Sequence, residues 1–145
     1  MDNHYHMIVQ TPEGNLDKFM YEFNRRIAKK ILDRSGGINQ IFGGRYKWCL
    51  IESQKYFSNC YRYVYQNPRR ASIVKKCEDY SFSTLPVALG VKHFPISIHD
   101  KFILKDKLIL EWLNSNVRDE EVNALKRSLT RSKLVSLKDS HQKLI

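Results

Sequence analysis

Between Leu16 and Ile31 the large apolar residues Leu16, Phe19, Met20, Phe23, Ile27 and Ile31 recur every three or four positions, the spacing of one face of an α-helix. Arg25, Arg26, Lys29, Lys30 and Arg34 carry the opposite face, and Gly36 and Gly37 follow as a helix stop. A helix of this kind is stable only when its apolar stripe is covered, so the remaining chain has to supply partners. Two segments rich in β-branched and aromatic residues come first. Residues 4–10, HYHMIVQ, run into the turn signal TPEGN, and GRYKWCLIES follows the glycines; both read as strands.

Further helices follow. Ser53 is placed to cap QKYFSNCYRYVYQ, which should end near Asn67 because Pro68 disfavours helical geometry in the residue before it. The stretch EDYSFSTLPVALGVKHFPISIH holds two of the four prolines, Pro86 and Pro95, and reads as mostly loop. DKFILKDKLILEWL and RDEEVNALKRSLTRSK then read as two more helices, the latter with acidic residues in its first turn and basic ones in its last. The tail after Lys138 is expected to fray.

At 145 residues, 42% of them hydrophobic and 28% charged, the chain suits one soluble globular domain, and no apolar run approaches the roughly 20 residues of a membrane helix. Nothing at the amino terminus reads as a secretion signal, so a cytoplasmic location is expected. Cys49, Cys60 and Cys77 are odd in number and form no CxxC pair, which fits reduced thiols rather than a disulfide frame or a four-cysteine zinc site. The formal charge is +10, and it is uneven: residues 21–75 hold 12 basic and 3 acidic side chains, residues 76–145 hold 12 and 9. The basic stretch is interleaved with Tyr46, Trp48, Tyr56, Phe57, Tyr61, Tyr63 and Tyr65. Cations neutralise phosphates and rings stack on unpaired bases, so nucleic acid is one expected partner; a generic basic surface over core aromatics is the other reading.

His4 and His6 lie two apart in the first strand segment and would project to the same side, as two imidazole ligands or as an incidental pair. A metal site needs at least a third ligand. Tyr56, Cys60, Tyr63 and Asn67 form one stripe of the second helix, either its buried face or the rest of a site. Asn67 could complete a His, His, Asn set through its side-chain carbonyl, which would put Tyr63 beside a divalent ion that polarises a phosphodiester.

NHYH, FGGRYK, CYRYVYQNPRRASIV and EDYSFS stand in this order and spacing. In this the chain resembles the REP-associated tyrosine transposases, the single-tyrosine branch of the HUH nucleases of small insertion sequences. Their pattern runs approximately MPNHYH, F-x-GRYK, RYI-x-x-NPVRA-x-LV and DYPWSSY. The likeness covers about residues 1–90, implying a transposase-like domain there and a helical extension over 91–145. It implies an α+β fold, an antiparallel sheet of ferredoxin-like or RRM-like type with helices packed on it, with the first strand and helix of the family pattern missing.

By position, the resemblance implies that Tyr63 is the nucleophile and that His4, His6 and Asn67 hold Mg²⁺ or Mn²⁺. Arg45, Lys47, Arg62, Arg69 and Arg70 look like phosphate-positioning residues, with a solvated basic face as the alternative. Attack by Tyr63 on single-stranded DNA would leave a 5′-phosphotyrosyl link and a free 3′-hydroxyl, on hairpins formed by palindromic repeats, in a monomer or homodimer. Phe82 replaces the family's usual tryptophan, and Arg69 stands where valine is common. The alternative expectation is a nucleic-acid-binding remnant without catalysis.

Overall fold

The computed structural model describes residues 4–37, 40–95, 98, 100 and 107–130. Its elements in chain order are α1 (Leu16–Ser35), α2 (Gln54–Arg70), a 3₁₀ turn (Cys77–Asp79), a short α3 (Leu85–Ala88), α4 (Lys107–Asn114) and α5 (Asp119–Thr130). They fall into two units. One comprises the described residues of Met1–Ile8 and Leu50–Ser128, the other those of Val9–Cys49 and Leu129–Ile145.

In the smaller unit α1 begins after a tight turn in which the Gly14 N–H donates to the Thr11 carbonyl at 2.9 Å, with Gly14 at φ 64°. It ends as the double glycine predicts: Gly36 adopts φ 63° and its N–H donates to the Leu32 carbonyl. Phe19 and Phe23 stack at 5.8 Å along the apolar stripe, of which Met20 alone is buried. Arg25 and Arg26 both pair with Glu22 on the outer face. Tyr46 donates a hydrogen bond to Asp17, tying the GRYK segment to the first turn of α1.

The larger unit is organised by α2. The Ser53 hydroxyl accepts from the Tyr56 N–H at 3.2 Å, the expected cap. The helix runs on through Pro68 to Arg70 instead of ending near Asn67. Proline removes a single N–H from the ladder; here it does so three residues from the helix end, where its buried ring and the buried Tyr65 and Gln66 hold the last turn in place. The core cluster is Tyr61, Tyr65, Cys77, Leu85 and Leu113, with Ile8, Phe57, Ile109, Leu110 and Trp112 packed against it. Thus α2, α4, the 3₁₀ turn and α3 close around one aromatic centre.

Polar contacts inside this core are specific. Gln66, 2% exposed, donates from its amide to the Leu113 carbonyl at 2.7 Å and the Ser115 carbonyl at 2.8 Å. Asn114 accepts from the Cys77 N–H at 2.9 Å and donates to Glu78 at 2.7 Å. Last-turn carbonyls of a helix lack partners within it, and here α2 and the 3₁₀ turn provide them. Tyr61 donates to both carboxylate oxygens of Asp100, and Tyr65 bonds both Asp100 and Thr84.

The expected α+β fold with an antiparallel sheet is corrected by this architecture: among the described residues there is no strand pairing, and the regular elements are helical. Residues 4–10 and 44–52 have the composition of strands, but strand preference is a preference for a pleated, half-buried surface beside a paired neighbour. Two isolated strands are marginal in water. Residues 4–8 instead take Ile8 to the helical core. The last two predicted helices are present as α4 and α5; residues 101–106 of the first, residues 131–133 of the second, and the tail after Lys138 lie outside the described residues. Cys60 and Cys77 are buried and Cys49 is partly exposed, and none of the three is in a disulfide.

Replacing Gln66 by leucine should lower stability by about 1–3 kcal/mol in a urea titration, because buried carbonyls lose donors that leucine cannot supply. Alkaline pH should also unfold this unit. Burial and the neighbouring tyrosine raise Tyr61, and burial pushes Tyr65 up to about 12. Above pH ~10 the unfolded chain releases these protons while the folded one retains them, so stability should fall between pH ~10 and ~12 as followed by circular dichroism.

Candidate functional site

Successive side chains of α2 are separated by about 100°, so Tyr61 and Tyr65, which face the core, leave Tyr63 on another side of the helix. Tyr63 is nevertheless half-buried, because the amino-terminal segment lies over it. The His6 ring meets the Tyr63 ring edge to face, with centroids 5.3 Å apart and planes at 77°. His4 meets His6 in the same manner at 5.1 Å and 85°. Ile8, two residues beyond His6, packs on the core cluster and anchors this segment. Three residues from two separate motifs therefore share one place in the larger unit, with no sheet beneath them among the described residues.

Electrostatics follow from the partial burial. Desolvation, then the charge of His4, lowers the pKa of His6, so its imidazole is neutral near pH 7 and keeps a lone pair for coordination. Burial raises the Tyr63 hydroxyl, and Arg70 acts in the opposite direction. Tyr63 is thus a protonated phenol at neutral pH, and its use as a nucleophile requires an electrophile strongly activated beside it.

The spacing of the two imidazoles would suit a divalent ion. An ion on an imidazole nitrogen lies about 3 Å from the ring centre, so two imidazoles sharing one ion have centres about 4.5–5 Å apart; the His4–His6 separation is 5.1 Å. Among the described residues there is no group of three or more His, Cys, Asp and Glu able to hold a metal. Asn67 lies one helical turn after Tyr63, and its amide Nδ2 is buried with no hydrogen-bond partner among the described residues. The orphaned atom is a donor and would itself be met by an acceptor; the carbonyl of the same amide is the kind of hard oxygen that Mg²⁺ or Mn²⁺ would take.

The five candidate phosphate-positioning residues occupy different settings. Arg62 lies 5.1 Å from the centre of the Trp112 ring and donates to the Ser115 carbonyl at 3.0 Å and to the Ser115 hydroxyl. Arg69 donates to the Lys75 carbonyl at 3.2 Å, and Arg70 pairs with Asp119 at 3.2 Å. Arg45 and Lys47 are exposed in the smaller unit. Sequence reasoning missed Gln66 and Asp100 altogether. Nothing in their local sequence marks a tertiary helix cap or a carboxylate that accepts from two tyrosines 35 and 39 residues away.

No helix among the described residues is long and apolar enough to cross a membrane. Comparison of the chain with protein-family models, with curated proteins and with solved structures finds no match.

The geometry predicts a His6 that titrates below 6.5 in an NMR pH titration and moves upward in His4→Ala, where the neighbouring charge is gone. Because the folded pKa is the lower one, the unfolded chain takes up this proton first, and the stability His6 contributes should be lost as pH falls below 6.5.

Proposed function

We propose that the chain nicks and rejoins single-stranded DNA through Tyr63, in the manner of the REP-associated tyrosine transposases it resembles. The observation that carries the reading is the ring contact of His6 with Tyr63, backed by His4, between residues 57 positions apart in the chain. A core tyrosine would have its hydroxyl tied into the interior, as Tyr61 and Tyr65 have. Tyr63 instead lies against the imidazole of His6, which is held neutral and is backed by His4.

In this reading Tyr63 Oη attacks the scissile phosphorus, the bond from phosphorus to the 3′ oxygen breaks, and the departing oxygen takes up a proton to become a 3′-hydroxyl. The product is a 5′-phosphotyrosine. The reverse attack by a 3′-hydroxyl rejoins a strand without external energy, since one phosphodiester is exchanged for another. A divalent ion, Mg²⁺ or Mn²⁺, held by His4, His6 and Asn67, would supply Lewis-acid polarisation of the phosphate. The excess of basic over acidic side chains, 25 against 15, supports a polyanionic substrate. Arg45, Lys47, Arg69 and Arg70 are the cations proposed to approach phosphates, with Arg70 exchanging its exposed partner Asp119.

A second reading has one specific observation in its favour. The helical architecture of the described residues departs from the sheet that the resemblance implies, and a nucleic-acid binder without turnover needs only the charge. Purified protein incubated with a labelled single-stranded hairpin oligonucleotide and Mg²⁺ or Mn²⁺ separates the two. The expected result is a covalent adduct that withstands denaturation and is abolished in Tyr63→Phe. An adduct that persists in that variant assigns the nucleophile elsewhere, and salt-sensitive binding with no adduct under either metal selects the binder.

A further inference from the structure

Among the large hydrophobic side chains of the described residues Phe82 is the most exposed, at 87%. Its turn is firmly built. The Ser83 N–H and hydroxyl both donate to the Tyr80 carbonyl, at 3.3 and 3.1 Å, and the same hydroxyl accepts from the Leu85 N–H at 3.2 Å. Behind it the Tyr80 N–H donates to the Cys77 carbonyl at 3.3 Å. Cys77 and Leu85, 1% and 0% exposed, anchor the two ends in the core. The Tyr80 ring supports Phe82 at 5.9 Å with the planes at 61°. Lys92 donates from its ammonium to the Ser81 carbonyl at 3.0 Å, one residue from Phe82 in the chain.

A phenylalanine held in water forgoes the free energy of burial, and a rigid turn that keeps it there presents a flat apolar face at little further entropic loss. A ring of this kind beside a cation is the arrangement on which unpaired bases stack: the ring takes the base and the cation a neighbouring phosphate. Residues 69–92 contain five basic side chains, Arg69, Arg70, Lys75, Lys76 and Lys92, against Glu78 and Asp79. Glu78 is already bonded to the Asn114 amide. This local surplus of positive charge favours a polyanion over an apolar protein partner, although Val91, 81% exposed, is also nearby in the chain.

We propose that Phe82, supported by Tyr80 and accompanied by Lys92, is a stacking platform for an unpaired base of single-stranded nucleic acid. The inference rests on the single-strand part of the reading above and is independent of Tyr63 as nucleophile. A base offers its π-face whatever its identity, so the platform contributes affinity and registers a flipped or unpaired nucleotide with little sequence preference.

The test is fluorescence anisotropy of the full chain with labelled oligothymidylate, without divalent metal, at fixed salt. Phe82→Ala should weaken binding about tenfold, Phe82→Leu about as much, and Phe82→Trp should retain it. An oligonucleotide with abasic sites in place of the bases should show no difference between wild type and Phe82→Ala. Equal affinity of wild type and Phe82→Ala for oligothymidylate overturns the platform and leaves the Tyr63 reading, judged by adduct formation, untouched. Full retention in Phe82→Leu also overturns it, since a purely apolar contact then suffices. A wild-type chain without affinity for any single strand overturns platform and single-strand reading together. Weakened binding in Phe82→Ala alongside absence of a Tyr63 adduct supports the platform and removes only the catalysis.

Discussion

The side-chain amide of Gln66 reaches from α2 to the last carbonyls of α4, and the orientation of both helices follows from that contact. An amide that is 2% exposed has to be satisfied within the protein, and so do the carbonyls at a helix terminus. Each solves the other's problem, but only at one rotation of α2 about its axis. At that rotation Tyr61 and Tyr65 enter the core, Arg62 lies over Trp112, and Tyr63 is left on the side where the histidines arrive. The candidate nucleophile is therefore positioned by a residue that takes no part in its chemistry.

A second polar layer reinforces the first. Asp100 accepts hydrogen bonds from the hydroxyls of Tyr61 and Tyr65, and Thr84 bonds Tyr65 at 2.8 Å. Hydroxyls of core tyrosines must find partners if their rings are to be buried, and a carboxylate with two such donors is itself compensated for leaving water. The network ties the loop carrying Asp100 and the start of α3 to the middle of α2. In consequence the aromatic centre of the larger unit resists reorientation from either side.

The resulting chemistry is a matter of contrast among tyrosines on one helix. Tyr61 and Tyr65 are held protonated by burial and by bonds that fix their hydroxyls; Tyr63 shares the burial but has the His6 imidazole for a neighbour. Two turns of helix thus contain both a structural pair and a candidate nucleophile. The separate aromatic surface at Phe82 is held by a different set of bonds, through Ser83 and Lys92.

Much of this was legible in the chain itself wherever the cause is local. The helix stop at Gly36, the Ser53 cap and the division of Tyr61 and Tyr65 from Tyr63 all follow from backbone geometry and helical phase. The same locality explains the errors. Residues 4–10 carry strand-forming side chains, yet a strand exists only with a partner, and none pairs with them among the described residues. Pro68 removes one helical bond, and tertiary burial outweighed it. The bond from Arg62 to the Ser115 carbonyl, 53 residues away, has no local signal either. By itself the sequence determined which residues are candidates for chemistry and which helix faces they occupy, because side-chain type and helical period are properties of short segments. Only the tertiary structure decided that His4, His6 and Tyr63 meet and that the chain builds its core from helices, because both depend on which distant groups satisfy each other's buried surface and hydrogen bonds.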